Sequence, residues 1–446
     1  MVSRSALVRF GTPPALYPAS ISGRKLLDQN GNVYLAKVFS SWSLASHLSN
    51  ANITVALEDV AENHFNGVSV WCGGTEDRGT TGWDKYTNLA AQNFWTGTPW
   101  ASSLGAAWAS VDWVVQECAR LGLVLHFSFC HGWGSPTPYG CAPDWNAVTN
   151  TNMHDAGVAI ATRYAAYPNI VWHVMFDDPL AVTDTAGVRI RNLFNGINAT
   201  EGASTRPVRW CETNQPSSTF SQGWYDPTGA STDTRFSVNC LYSWANTAVT
   251  VTEGAYGEVS GPVGDCEPVY VGNTDAYGGS RQQLRERSYS VFLEGGSLLN
   301  WGHEDWWPFG AAQLFSAGET WDTVVSDDET VDARYCWDLI DVYCKDATYA
   351  PTSAFVTTGA GVGDVKAAVG ASNTAALAYF PDNRTVVVDT TIIAGTGNVR
   401  LRWYDPTAGT FSTIAASEAQ NASRSVTLPA AHADTSRDFV LVVDGG

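Results

Sequence analysis

Asn169-Ile170-Val171-Trp172-His173-Val174-Met175-Phe176-Asp177-Asp178-Pro179 is the stretch whose reading decides the fold. Ile170 to Phe176 is β-branched and aromatic, broken only by His173. Such a run suits a strand buried on both faces, as in a parallel sheet. It stops at two carboxylates and a proline. In parallel α/β folds, chemistry gathers where strands end, on the loops that follow. Asp178 reads as a helix N-cap, with Pro179 as the first helical residue. That leaves Asp177 without a structural task, and it is read as a candidate catalytic carboxylate.

The pattern repeats on both sides. Buried strands are predicted from Val33 to Phe39, Gly67 to Trp71, Leu123 to Phe129, Val208 to Cys211, Phe236 to Leu241, Pro268 to Val271 and Ser297 to Trp301. Helical spacing falls between most of them, from Thr54 to Phe65, Ala106 to Leu121, Thr151 to Tyr167, Asp184 to Asn198, Arg281 to Gly295 and Trp321 to Lys345. This alternation predicts an α/β fold, a (β/α)8 TIM barrel. A doubly wound sheet would want a Gly-rich phosphate loop after its first strand, and none is present. From Thr348 the helical period vanishes. Short alternating runs, separated by turns such as Pro381-Asp382-Asn383, predict a small C-terminal antiparallel β-sandwich. The expected division is an N-terminal extension over 1–23, the barrel over 24–347 and the sandwich over 348–446.

Composition narrows the partners. The 446 residues carry a formal charge of −19, which opposes nucleic acid and anionic membranes, since both require basic patches. The 19 Trp, 17 Tyr and 17 Phe supply flat rings with polar edges, suited to sugar rings as well as to a core. A neutral polysaccharide or cell-surface glycan is the expected partner. There is no run long enough to cross a membrane. Nine cysteines contain no CxxC pair. Disulfides among Cys141, Cys211, Cys240 and Cys266 stay open, and other cysteines read as small core residues. No cofactor is expected. No metal is expected either, because adjacent residues in His303-Glu304-Asp305 point in different directions from a strand end. Arg9, Pro13 and Pro14 interrupt any apolar leader in Met1 to Ser20. An extracellular role then implies a removed leader or another route, such as release within a virion alongside other tail proteins.

Several stretches together carry a family resemblance. Leu27-Asp28-Gln29-Asn30-Gly31 leads to Ser41-Trp42, and Phe65-Asn66-Gly67-Val68 enters the second strand. Asp112-Trp113-Val114-Val115 precedes Gly132-Trp133-Gly134, and Arg163-Tyr164 precedes Tyr167-Pro168-Asn169-Ile170-Val171-Trp172 and Asp177. In the tail stand Trp403-Tyr404-Asp405-Pro406 and Asp438-Phe439-Val440-Leu441-Val442. In this order and spacing the chain resembles the apiosidase-like glycoside hydrolases, barrels followed by a collagen-binding-type sandwich module. The resemblance implies that Asp177 is one catalytic carboxylate and that a Glu after strand seven is the other. With the seventh strand at Pro268 to Val271, the matching position is Asn273, and an amide neither attacks an anomeric carbon nor acts as a strong base. Met175-Phe176 departs from the family as well, where glycines are usual.

The candidate catalytic residues are therefore Asp177, Asp275 and Glu304, with Glu212 also placed after a strand. Candidate sugar-binding residues are Trp42, His131, Trp133, Asn214, Trp244, Asn273, Trp301 and Trp306, to which Trp307 adds a ring. Two functions are expected from these residues. One is a hydrolase acting on a polysaccharide. The other is a glycan-binding or structural protein, such as a bacteriophage tail component, that has lost the second carboxylate.

Overall fold

The computed structural model describes residues 16–73, 87–129, 146–174, 185–202, 206, 208–212, 237–242, 256–257, 260–267, 270–272, 279–307, 309, 319–346, 348–359, 366–369, 374–395 and 397–445. Three short strands open it, β1 (Pro18–Ser22), β2 (Lys25–Asp28) and β3 (Val33–Tyr34), forming an antiparallel sheet. Eight parallel strands follow: β4 (Ala36–Ser40), β5 (Gly67–Trp71), β6 (Val124–Phe129), β7 (Ile170–Val174), β8 (Arg209–Glu212), β9 (Val238–Tyr242), β10 (Val263–Glu267) and β11 (Leu298–Trp301). Their pairings run round a ring in the order β4 to β9, then β10 and β11, and β11 returns to β4. The core is thus an α/β fold on a curled parallel sheet, TIM-barrel-like.

The helices are α1 (Leu44–His47), α2 (Asn50–Glu62), α3 (Trp108–Leu121), α4 (Asn150–Arg163), α5 (Thr185–Glu201), α6 (Arg281–Leu293), α7 (Trp321–Val324) and α8 (Asp328–Tyr343). Alternation decides what each strand residue meets. Ala36, Val38, Val124, Val171, Val238, Cys240, Cys266 and Leu298 share one buried cluster, the inner face of the ring. The intervening Phe39, Val68, Val70, Leu125, Phe127, Trp172 and Leu299 belong instead to the cluster shared with the helices. Helices α4 and α5 cross backbone to backbone. A Cβ on Gly157 would overlap the Leu193 carbonyl, and one on Gly196 the His154 carbonyl. The Arg163-Tyr164 motif also serves packing. Arg163 Nε and the Tyr164 hydroxyl both donate to Asp112 Oδ1, at 2.7 and 3.0 Å, tying α4 to α3.

Residues 350–445 form two sheets. One has six strands in the order β12 (Ala350–Pro351), β14 (Lys366–Val369), β15 (Ala375–Phe380), β20 (Phe439–Gly445), β17 (Asn398–Asp405) and β18 (Thr410–Ala419). The other pairs β13 (Val356–Thr358), β16 (Thr385–Val388) and β19 (Arg424–Thr427). Ala376, Ala378, Phe380, Leu441 and Val443 of the larger sheet share a core with Val386, Val388 and Val426 of the smaller. The alternate residues Leu377, Tyr379, Val440 and Val442 join the main cluster. The larger sheet is therefore buried on both sides, with α6 and α8 against its outer face. Arg285 of α6 forks onto Asp438 at 2.8 and 2.8 Å and reaches Asp332 of α8 at 2.7 Å. Tyr289 stacks on Tyr379 at 5.2 Å.

Four expectations need correction. The strand expected over Pro268 to Val271 lies upstream at Val263–Glu267, and Val271 makes only an isolated bridge to His303. The run from Val33 to Phe39 breaks at Leu35, because its first two residues pair backwards with β2 while Ala36 onward enters the ring. The helix expected from Trp321 to Lys345 is two, α7 and α8. Cys240 and Cys266 are reduced thiols inside the ring, where apolar neighbours fill the space around them. Among the described residues no helix is long and apolar enough to cross a membrane.

Candidate active site

The corrected seventh strand ends in a carboxylate. β10 reads Val263-Gly264-Asp265-Cys266-Glu267, so its last residue is Glu267. Gly264 pairs with Cys240 and Asp265 with Leu241, but Glu267 pairs with Tyr242. Two steps along β10 thus match one along β9, a bulge that reverses the alternation. Asp265 lies on the helix side, 3.7 Å from Arg287 of α6. Cys240 of β9 is on the inner face, and the bulge brings Glu267 rather than Cys266 opposite the last residue of that strand. A carboxylate that would have faced the helices is delivered to the mouth of the ring.

Glu267 stands close enough to Tyr270 there for its charge to act on the phenol. The Tyr270 hydroxyl also accepts from Trp42 Nε1 at 3.0 Å and lies 3.3 Å from Ser40 Oγ. Burial, with the Glu267 charge beside it, pushes the Tyr270 phenol well above its ordinary value, so it stays protonated. Trp42, Trp71, Tyr270 and Trp307 form one cluster at this end. Trp42 stacks on Trp71 at 5.6 Å, and Trp307 meets Trp71 edge-on at 6.0 Å. Trp307 Nε1 donates to Glu304 Oε2 at 3.2 Å. The turn after β11 presses on the phenol ring, where a Cβ at Gly302 would overlap Tyr270. Deeper in the ring, His173 Nδ1 lies 2.8 Å from Ser128 Oγ. Burial lowers His173 to about 3, and its neighbour His126 is also lowered by burial, so both rings are neutral near pH 7.

The expected site residues divide accordingly. Trp42 and Glu304 stand in this cluster or against it. Trp301 and Trp306 do not, which corrects their expected role at a sugar face. Both are fully buried, edge-on or tilted against Phe39 at 4.9 and 4.8 Å, as part of the core towards the helices. Asp177, Asp275, His131, Trp133, Asn214, Trp244 and Asn273 lie outside the described residues, and so does the side chain of Glu212. Glu267 and Tyr270 were missed by sequence reading. The available signal was the spacing of the small residues Gly264 and Cys266, which alternate as inward positions of a narrow ring require.

His303, Glu319 and Asp327 bring ligand atoms within 4.8 Å of one another. His303 Nδ1 accepts the Asp305 amide at 3.1 Å, so the ring proton is on Nε2, which faces Glu319 at 3.7 Å. Burial lowers His303 to about 4, keeping it neutral. A metal-bound histidine has the opposite arrangement, its second N–H donating outward. The group therefore does not fit a metal held through His303. Burial and Glu319 push Asp327 up to about 7.

Solved structures share this architecture. One titled "Glycoside hydrolase" superposes with a TM-score of 0.80 at 17% identity, covering 97% of each chain. A glycoside hydrolase family 5 structure from Bacteroides vulgatus ATCC 8482 gives 0.79 at 17% identity, over 97% of this chain and 93% of its own. At such identities the likeness is one of fold. The family model "Apiosidase-like, catalytic domain" matches residues 20–343, and the chain belongs to that family. A second model, "Putative collagen-binding domain of a collagenase", matches residues 351–444. A comparison with curated proteins finds no match.

Proposed function

We propose that the protein is a glycoside hydrolase acting on a polysaccharide, with Asp177 and Glu267 as its carboxylate pair. Glycoside cleavage needs one carboxyl group to protonate the leaving oxygen and a second to attack the anomeric carbon or activate water. The observation that carries this reading is the end of β10, where the bulge turns Glu267 inward beside Tyr270. β7, which leads to Asp177, stands three places round the ring from β10, so the two strand ends look across one mouth. The rings of Trp42, Trp71 and Trp307 supply flat apolar surface at that end. Glu304 serves the site indirectly, by fixing Trp307. A neutral glycan suits a chain of charge −19 better than an anionic one.

The proposed domains are a barrel over 24–347 and a β-sandwich over 348–446, both closely tracking the two family matches. The alternative of a glycan-binding or tail protein stripped of catalysis depended on Asn273 holding the strand-seven position. Placing that strand at Val263–Glu267 removes this ground. The test is release of reducing ends from a panel of neutral polysaccharides by the native protein, Asp177→Asn and Glu267→Gln. Turnover by the native chain with at least a thousandfold loss in each variant is expected. Full turnover by Glu267→Gln would sink the assignment of Glu267, and no turnover by the native chain on any member would sink the hydrolase.

A further inference from the structure

The His432 side chain is only 3% exposed, and acceptors face both of its ring nitrogens. Nε2 lies 2.6 Å from the Asp438 carbonyl, which can only accept, so Nε2 carries a proton. Nδ1 lies 3.2 Å from Asp405 Oδ2. The Thr407 amide and hydroxyl both donate to Asp405 Oδ1 at 2.8 Å. Burial opposes the Asp405 charge, but these bonds and His432 outweigh it and bring the carboxyl down to about 2. An ionised carboxylate also only accepts, so Nδ1 carries a proton too and the ring is an imidazolium. Asp438 Oδ1 stands 3.9 Å from Nε2, and Phe439 of β20 covers the ring at 4.2 Å. Beyond them, Arg285 of α6 pairs with Asp438 at 2.8 Å and faces Asp434 at 3.6 Å. Burial opposes the charge on His432, yet Asp405 and Asp438 outweigh it and raise the ring above its ordinary 6.5.

The two loops that His432 joins are ones by which the C-terminal sheets meet the barrel helices. The loop between β19 and β20 closes on itself, the His432 amide donating to the Ser436 carbonyl at 2.8 Å. It carries Ser436 and Asp438 to Arg285 of α6, at 2.7 and 2.8 Å. The turn from Asp405 to Gly409 lies against α8, where a Cβ on Gly409 would overlap the Tyr335 ring. Beside it the Tyr404 hydroxyl donates to the Tyr335 carbonyl at 2.8 Å. We propose that His432 is a pH-sensitive clamp, which as an imidazolium ties these two loops together and holds the C-terminal sheets against α6 and α8. On losing a proton the ring keeps Nε2–H for the Asp438 carbonyl and turns a lone pair on the Asp405 carboxylate, so the tie between the loops is lost. The folded value is raised, so the clamp is fully effective below 6.5 and fails as pH rises through that folded value.

The test uses the full chain and needs no substrate. Imidazole 15N signals are followed by NMR from about pH 5 to about pH 10, and His432 is identified by its loss in His432→Gln. The expected midpoint lies above 6.5, with both ring N–H groups present below it. Asp405→Asn is expected to lower that midpoint. Hydrogen exchange of residues 432–438 and 405–409, expressed as protection factors, reads the clamp itself. Protection should fall about tenfold for each unit by which the native midpoint exceeds 6.5. In His432→Gln that fall should be absent. A native midpoint at or below 6.5, or the same fall in His432→Gln, would overturn the proposal. Should His432→Gln not fold, the signal is assigned by its shift in Asp405→Asn, and a set of histidine midpoints left unchanged by that variant overturns the proposal instead.

Discussion

Removing the Asp438 carboxylate should loosen the barrel and the C-terminal sheets together. Asp438 is fully buried and takes two bonds from Arg285, at 2.8 and 2.8 Å, and one from the Tyr379 hydroxyl at 2.9 Å. Breaking a buried pair by deleting one partner costs about 3–5 kcal/mol, since the other charge is left in low dielectric. Arg285 keeps Asp332 at 2.7 Å and Ser436 at 2.7 Å, so Asp438→Ala belongs at the low end, about 3 kcal/mol. That is a large part of a typical stability of about 5–15 kcal/mol. The assay is urea unfolding followed by tryptophan fluorescence, which reports on the barrel, and by far-UV circular dichroism. Both signals should shift to lower urea, because α6 and β20 share the network. The double variant Arg285→Met, Asp438→Leu should recover most of the loss. No charge is then stranded, as Asp332 retains Arg281 at 2.6 and 2.8 Å. A loss below about 1 kcal/mol in the single variant would refute the reasoning, as would a double variant no better than the single.

Three further outcomes are expected. Asp327 titrates near 7 in the folded protein against about 3.8 ordinarily, so the folded state binds a proton that the unfolded chain releases. Stability from this source is full below about pH 4 and falls as pH rises to 7. Asp327→Asn should flatten that part of a melting-temperature profile, and an unchanged slope would count against the carboxyl pair. Gly196→Val should push α4 from α5 and lower the melting temperature by several degrees, and an unchanged melting temperature would count against the close crossing. Gly302→Ala should leave the fold intact and displace the Tyr270 ring, seen as a changed near-UV tyrosine and tryptophan spectrum.

Much of the fold was legible because barrel strands are buried on both faces and read as continuous apolar runs. Ile170–Val174, Gly67–Trp71 and Val124–Phe129 all fell where the pattern put them. The change of period near Thr348 likewise marked the start of the two sheets. What the pattern does not encode is which apolar run belongs to the ring. Leu35 looks like its neighbours, yet the chain leaves one sheet and enters another there. Trp301 and Trp306 show the same limit from the other side. Their place after or at the end of a strand suggested the mouth, but the ring at Trp301 follows the parity of Leu299 and faces the helices.

The seventh strand is the instructive failure, because its polarity has a structural cause. Val263-Gly264-Asp265-Cys266-Glu267 holds two carboxylates in five residues, and Pro268 to Val271 beside it is far more apolar. A buried carboxylate argues against a strand only while its partner is out of sight. Asp265 is fully buried and stands 3.7 Å from Arg287, twenty-two positions on in sequence and itself buried on α6. Such a pair is visible only once helix and strand are packed. Glu267 is hidden by the opposite device, a bulge that breaks the alternation on which the sequence reading depends. Placing that strand a few positions late put an amide where β10 itself ends in a carboxylate, and so set a non-catalytic reading beside the hydrolase. A barrel residue's chemistry is therefore assigned only after its strand is in register, since a shift of a few positions exchanges an acid for an amide without changing the fold.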